Sequence, residues 1–196
     1  MTESGRDRIG AEYYDRTDYF DGQAAHLRDT TSPFQRYRVR KVLEIYRPGP
    51  DERVLDVGCG WGTFTFALAR DADRVVGVDF SEKSVRYCRE RQMRSAYHNV
   101  RFLKADAGDT GLDDGSFDLV VAADLFEHLY PDDAERVVRE AWRVLRRGGR
   151  FVIWTPHRGH LIEVLKNRGL LLEPDPTHVD YKSMERLRAM LEAEDF

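Results

Sequence analysis

The sequence predicts an α/β fold, in which helices cover both faces of a doubly wound parallel sheet. Short apolar runs alternate with segments of helical period between about residues 50 and 155, and such alternation builds parallel sheets through right-handed crossovers. The runs are nearly continuous in apolar residues, as expected for strands that are buried on both sides. We therefore expect an open sheet with helices on both of its faces.

Five apolar runs are predicted to be strands, and the helices between them are marked by their caps. The predicted strands are 53–57, 75–78, 100–103, 117–121 and 151–154. Ser32 followed by Pro33 indicates the start of a helix that ends before residues 48–50, and Ser81 is placed to cap another helix.

The clearest helical period follows Pro131, where Asp132 and Asp133 suit the positive end of a helix dipole. Its apolar face is predicted to contain Ala134, Val137, Val138, Ala141, Trp142 and Leu145. Gly148 and Gly149 are expected to end this helix before the last strand begins.

Composition limits the class of protein. The chain has 196 residues, of which 41% are hydrophobic and 34% charged, with a net charge of -4; we expect one globular domain and no nucleic-acid partner. No apolar run approaches the roughly 20 residues of a membrane span, and the polar start has no secretory signal. We therefore expect a cytoplasmic protein in which Cys59 and Cys88 are reduced.

A glycine loop after the first predicted strand indicates where a ligand binds. The loop reads Asp56-Val57-Gly58-Cys59-Gly60-Trp61-Gly62, and ligands of such sheets bind beyond the carboxyl ends of the strands. Glycines and a following helix start fit either a nucleotide phosphate or an amino-acid carboxylate. The Gly-x-Gly-x-Gly spacing departs from the dinucleotide pattern, and the Asp56 carboxylate suits an ammonium better than a pyrophosphate.

Two further acids follow the next two strands. Asp79 ends the second strand, where a carboxylate can accept both hydrogen bonds from a ribose diol. Phe80 beside it offers an apolar surface for adenine, and Asp106 is placed to accept a hydrogen bond from the adenine amino group. Each acid also has a purely local interpretation, such as a cap or an Asx-turn.

Five motifs in order resemble those of class I S-adenosylmethionine-dependent methyltransferases, in particular the type 11 small-molecule group. The motifs are residues 54–62, 75–80, 105–107, 122–129 and 143–156. The resemblance implies a Rossmann-like sheet of order 3-2-1-4-5, with S-adenosylmethionine as cofactor. The residues expected to bind it are Asp56, Gly58, Gly60, Trp61, Asp79, Phe80, Asp106, Ala107 and Ala123.

His128 is the predicted catalytic residue, because it follows the fourth strand near the reactive end of the cofactor and can act as a base. The alternative is a structural histidine. The pattern Asp124-x-x-Glu127-His128 is also similar to the metal-binding pattern of some quinone-pathway and RNA-end methyltransferases, with aspartate in place of the first glutamate. We nevertheless expect no metal.

We expect the acceptor to be a small molecule that is methylated at oxygen or carbon. We expect a polar, aromatic segment, 1–30, and a methyltransferase domain, 31–196, of which the resemblance covers roughly residues 35–196. Residues 155–182 resemble a cover over the acceptor side. That cover contains His157, His160, His178 and Tyr181, with an apolar stretch at residues 161–165, and the first segment contains Tyr13, Tyr14, Tyr19 and Phe20. A surface loop is the alternative for the cover.

Other functions stay open at this point. The chain could be a binding module without turnover, or its acceptor could be RNA or protein; a nucleotide-binding oxidoreductase is disfavoured by the glycine spacing. Members of the resembling family continue into two more strands, which this sequence lacks. An uncovered last strand would leave an open edge, so we expect either a homodimer or reduced solubility.

Overall fold

The centre of the protein is a parallel sheet. The computed structural model describes residues 8–17, 19, 22, 27, 29–156, 175 and 177–196. The strands are β1 (Arg53–Val57), β2 (Arg74–Asp79), β3 (Val100–Lys104), β4 (Phe117–Ala123) and β5 (Leu145–Trp154). They lie in the order β3-β2-β1-β4-β5, and every pairing is parallel. The predicted fold class and strand order are confirmed, and no strand follows β5 in the part of the chain that the structure describes.

Helices pack on both faces of this sheet. They are α1 (Ala11–Arg16), α2 (Pro33–Ile45), α3 (Thr63–Leu68), α4 (Glu82–Met93), α5 (Pro131–Val144) and α6 (Met184–Glu192), with a short 3₁₀ turn at Phe126–His128. Side chains of β1 alternate between the faces: Val54 belongs to the core with α2, α3 and α4, whereas Leu55 belongs to the core with α5 and α6. This alternation decides which helix each strand residue meets.

The predicted caps are present. The Ser32 hydroxyl accepts a hydrogen bond from the Gln35 amide at 3.2 Å, and the Ser81 hydroxyl accepts one from the Ser84 amide at 3.2 Å. Pro131 opens α5, with acidic residues in its first turn as expected. These starts fix where α2, α4 and α5 leave the preceding loops.

The end of α5 differs from the prediction. The helix stops at Val144 and β5 begins directly at Leu145, so Gly148 and Gly149 lie inside the strand. Gly148 has a φ of 73°, and the pairing of β4 with β5 shifts register between Phe117 and Leu119. The glycines therefore allow an irregularity within a strand rather than a helix end.

The apolar face of α5 is also narrower than predicted. Trp142 is 46% exposed, and its ring packs against Phe196 with centroids 5.1 Å apart. Val144 occupies the buried face instead. Trp142 directly follows the buried Ala141 in the helix, and its large side chain lies on the surface rather than in the core.

Several predicted residues lie outside the described part of the chain. They are Phe20, His157, His160 and the apolar stretch at residues 161–165. Within the described residues, none of the helices combines the length and apolar character that a bilayer crossing needs.

Candidate functional site

A cavity of about 630 Å³ opens at the carboxyl ends of the strands. Its wall includes most of the residues that the sequence singles out: Gly58, Gly60, Trp61, Asp79, Phe80, Asp106, Ala107, Ala123 and His128. Asp56 is the predicted site residue that does not line it. Because these residues lie at or just after the carboxyl ends of β1, β2, β3 and β4, the sheet topology brings them together.

The glycine loop after β1 has a backbone that favours glycine. Gly58, Gly60 and Gly62 have φ values of 71°, 49° and 73°. A Cβ at Gly58 would lie 2.8 Å from a Leu125 methyl carbon, whereas a Cβ at Gly60 would meet no atom within 4 Å. Gly58 therefore permits close packing, and Gly60 leaves open space at the cavity wall.

Asp79 joins the end of β2 to this loop. Its Oδ2 accepts a hydrogen bond from the Gly60 amide at 2.9 Å, and its Oδ1 accepts one from the Ser81 amide at 2.9 Å. Burial raises the pKa of the Asp79 carboxyl, although these two amides favour its ionised form. Each carboxylate oxygen can accept a further hydrogen bond, so the side chain retains acceptor capacity toward the cavity.

Asp56 supports the loop from within the protein. Its side chain is buried, and its Oδ2 accepts a hydrogen bond from the Thr65 hydroxyl at 2.5 Å. Burial raises the pKa of the Asp56 carboxyl to about 7. Because Asp56 is absent from the cavity wall, its expected contact with the amino-acid end of the cofactor stays a prediction.

Phe80 and Asp106 in the cavity wall offer contacts for a flat ring. Phe80 is 37% exposed, and its ring centroid lies 5.3 Å from that of Tyr14. The Oδ1 of Asp106 accepts a hydrogen bond from the Gly108 amide at 2.7 Å, as expected for an Asx-turn. Its Oδ2 lies 3.6 Å from the Arg136 guanidinium. The carboxylate keeps acceptor capacity beyond these partners.

A charge pair that the sequence did not suggest, between a buried arginine and a half-buried aspartate, lies at the α2 side of the cavity. Arg38 forms an ion pair with Asp124, a residue with a φ of 52° just after β4. The guanidinium also lies 5.2 Å from the Phe64 ring centroid. Burial lowers the pKa of Arg38 to about 10. A charged residue within the buried face of a predicted helix was the signal that could have identified it.

His128 lines the cavity and is held from outside the sheet. Its Nδ1 lies 2.9 Å from the Thr177 hydroxyl oxygen and 3.2 Å from the Thr177 carbonyl oxygen. The His178 ring packs edge-on, with centroids 4.8 Å apart. Sequence reasoning missed Thr177, which contacts this histidine, and Asp175, which lines the cavity beside it.

The suggested metal pattern is only partly assembled. Among the described residues, the ligand atoms of Glu127, His128 and His178 lie within 4.8 Å of one another. Asp124 is not in this group, because its carboxylate faces Arg38. The expectation that no metal is used stays a prediction.

The amino-terminal segment contributes the outer wall. Ile9 and Tyr14 line the cavity, the Ile9 amide contacts the Tyr130 hydroxyl at 3.4 Å, and Asp15 accepts the Ser81 hydroxyl at 2.6 Å. The predicted cover, residues 155–182, also contributes to the wall, because His178 lines the cavity. Tyr181 instead contacts the Nδ1 of His178 through its hydroxyl at 2.7 Å.

Comparison with known proteins identifies the family of this chain. A model described as a methyltransferase domain matches residues 55–153, which is half of the chain. The chain is 41% identical over 126 residues to sarcosine/dimethylglycine N-methyltransferase of Halorhodospira halochloris, covering 62% of this chain and 44% of the relative. It is 33% identical over 157 residues to the 23S rRNA (uracil(1939)-C(5))-methyltransferase RlmD of Aeromonas hydrophila, covering 66% and 36%.

Solved structures share the fold. Phosphoethanolamine N-methyltransferase 1 of Haemonchus contortus, solved with phosphoethanolamine and S-adenosylhomocysteine, superposes with a TM-score of 0.73 at 23% identity, covering 93% of this chain and 39% of that one. The chain spans less than half the length of either curated relative. On this family match, the chain belongs to the S-adenosylmethionine-dependent methyltransferase domains.

Proposed function

We propose that this chain transfers the methyl group of S-adenosylmethionine to a small-molecule acceptor, at an oxygen or a carbon atom. The observation that carries the proposal is one cavity whose wall contains both the Asp79 carboxylate and the His128 imidazole. Its volume of about 630 Å³ lies in the range of sites that bind small ligands. A cofactor and a small acceptor therefore have one shared, partly enclosed space.

The residues at the loop end fit the cofactor. Each oxygen of the Asp79 carboxylate already accepts one backbone amide and can accept one ribose hydroxyl in addition. The open space above Gly60 would hold the part of the ligand that approaches the backbone. Phe80 and Asp106 are proposed to contact adenine by stacking and by hydrogen bonding, with Ala107 beside them.

The chain then has to orient the acceptor and exclude water. When bound, the cofactor supplies an activated methyl group on a positively charged sulfur. The protein needs no nucleophile of its own, but a hydroxyl or carbon-acid acceptor must lose a proton. His128 is proposed to take that proton, because it lines the cavity and has its Nδ1 fixed by Thr177.

The outer wall favours a small acceptor. Ile9, Tyr14 and His178 all belong to the cavity wall that contains His128, so they restrict the space that is left for an acceptor. One relative is named for the small acceptors sarcosine and dimethylglycine, which agrees with this class. Another is named for an rRNA uracil, and RNA is therefore the alternative acceptor that an experiment must include.

The test is a screen for release of S-adenosylhomocysteine by the purified chain against pools of small hydroxylated or carbon-acid metabolites, with bulk RNA as a separate arm. We expect turnover with a small-molecule pool, and loss of at least about 100-fold in kcat for His128→Ala, as typical for a general base. His98→Ala is the matched control, because His98 is exposed and does not line the cavity.

Turnover only with RNA would overturn the small-molecule assignment. Cofactor binding by calorimetry without turnover in any arm would favour a binding module. Equal kcat for the wild type and His128→Ala would remove the proposed role of His128 while leaving the reaction intact.

A further inference from the structure

Asp175, Thr177 and His128 form a hydrogen-bonded chain beside the cavity, whose wall includes both Asp175 and His128. Thr177 is fully buried, and its hydroxyl oxygen lies 2.6 Å from Asp175 Oδ1 and 2.9 Å from His128 Nδ1. Asp175 Oδ1 also accepts the Thr177 amide at 2.9 Å, and its Oδ2 accepts the Tyr19 hydroxyl at 3.1 Å. Thr177 lies 49 residues beyond His128 in the sequence, so only the fold brings the two together.

The number of protons available fixes the direction of these hydrogen bonds. Although burial alone would raise the pKa of Asp175, the Thr177 hydroxyl and amide hold that pKa below its ordinary value. An ionised carboxylate only accepts hydrogen bonds, and a hydroxyl has a single proton to donate. The 2.6 Å contact is the short, charge-assisted one, so the Thr177 proton is directed at Asp175.

The Thr177 oxygen can consequently act only as an acceptor toward His128. The Thr177 carbonyl oxygen, at 3.2 Å from the same ring nitrogen, is an acceptor as well. Two acceptors thus face Nδ1, which must carry the hydrogen. In a neutral imidazole the other nitrogen, Nε2, then has a lone pair, and no described residue hydrogen-bonds to it.

We infer that Asp175 and Thr177 are positioning residues, which hold His128 as the Nδ1–H tautomer so that Nε2 can accept the proton of the acceptor molecule. The inference rests on the proposed function of His128. During transfer the acceptor hydroxyl would lose its proton to Nε2, and its oxygen would use the freed electron pair to bond the methyl carbon. The bond from that carbon to sulfur would break in the same step, and S-adenosylhomocysteine would leave with the electron pair of that bond. The resulting positive imidazole is stabilised by the Asp175 carboxylate through the Thr177 hydroxyl.

The surroundings of the ring agree with this role. Among the described residues, Glu127, His178 and Asp79 are further titratable groups near it. The hydroxyls of Tyr14 and Tyr19 also interact with Thr177. Glu127 uses its Oε2 to accept the Thr155 hydroxyl at 2.8 Å, and His178 uses its Nδ1 with Tyr181. Neither of these two contacts competes for Nδ1 of His128.

The decisive measurement is the tautomer itself. In protein labelled with ¹⁵N-histidine, the ring resonances that disappear in His128→Ala identify His128, and we expect a protonated Nδ1 with an unprotonated Nε2 at neutral pH. This measurement uses the unmodified full chain and needs no turnover. A protonated Nε2 would overturn the inference.

Variants of Thr177 test the consequence for catalysis. Thr177→Val keeps the shape and removes the hydroxyl, and we expect kcat to fall about 10-fold, the effect of one hydrogen bond in the transition state, with the affinity for S-adenosylmethionine within about 2-fold. Thr177→Ser retains the hydroxyl and should restore kcat to near the wild-type value. If Thr177 acted only by packing its methyl group, serine, which lacks that methyl group, would not restore kcat.

Loss of the Asp175 charge gives a separate readout. In Asp175→Asn the positive imidazole loses its counter-charge, so the acidic limb of the kcat profile should move to lower pH. An unchanged limb, or equal kcat for Thr177→Val and wild type, would overturn the inference. If no acceptor pool is methylated while the ¹⁵N signals show the Nδ1–H tautomer, the proposed function fails and the positioning of the ring stands.

Discussion

The carboxylate of Asp79 accepts the backbone amide of Gly60 at 2.9 Å, so one side chain couples the end of β2 to the glycine loop after β1. The same carboxylate is proposed to bind the ribose. We predict that Asp79→Ala raises the Kd for S-adenosylmethionine at least about 100-fold, because hydrogen bonds to a charged group contribute about 1.5–3 kcal/mol each. Titration calorimetry measures the Kd directly.

Two variants control this experiment. Asp79→Asn keeps one acceptor oxygen and should fall between Ala and the wild type. Asp73→Ala removes an exposed carboxylate just before β2 and should leave the Kd unchanged. An Asp79→Ala protein that binds as tightly as the wild type would contradict the assignment of the ribose site.

Alanine variants of two glycines distinguish the effect of backbone strain from the effect of lost ligand contact. Gly60 and Gly111 have φ values of 49° and 66°, and a Cβ at either position meets no atom within 4 Å. Alanine at each should therefore cost a similar free energy of unfolding, about 1–2 kcal/mol, as measured in urea. Gly60 lines the cavity and Gly111 does not, so we predict that only Gly60→Ala weakens cofactor binding. Equal Kd values for the two variants would argue against a ligand above Gly60.

The strands could be predicted from sequence because each is a local apolar run. Residues 53–57 begin and end in the structure as expected. The start of β5 could not be predicted in the same way, because Leu145 continues the apolar period of α5 and is buried as part of the strand. Gly148 and Gly149, which follow shortly after, have the pattern of a helix end, although they lie within β5, where its pairing with β4 is irregular.

The candidate site likewise contains residues that the sequence predicts and residues that it does not. Gly58 and Asp79 adjoin strand ends, so topology predicts their meeting. Arg38 and Thr177 reach the cavity region from segments outside β1 to β4, and no local pattern connects them with Asp124 or His128. The burial of Asp56 was predictable in principle: its neighbours in β1 face α5, so its own side chain points to the α3 side, where Thr65 lies.

Cys59 offers a test of how tightly the glycine loop is packed. A hydrogen bond with Cys88 and burial both raise the pKa of the Cys59 thiol, and both cysteines are buried. Only the thiolate reacts quickly, so we predict that iodoacetamide modifies the native protein at least about 10-fold more slowly than the urea-unfolded protein. Mass spectrometry of timed samples measures the rates. Rapid labelling of Cys59 in native protein would show that the loop opens readily.

The Asp56 carboxyl predicts a pH dependence of stability. Burial raises its pKa to about 7 from the ordinary 3.8, so the folded state holds the proton over a range in which the unfolded state has lost it. The stabilisation is thus complete below about pH 4 and is lost as the pH rises through about 7. Asp56→Asn mimics the neutral form and escapes this loss. Between about pH 5 and pH 8, we expect the free energy of unfolding of the wild type to fall relative to the variant by at most about 3 kcal/mol. Urea unfolding at both pH values measures this difference, with Asp73→Asn as an exposed control, and a difference that stays constant or grows in favour of the wild type would contradict the raised pKa.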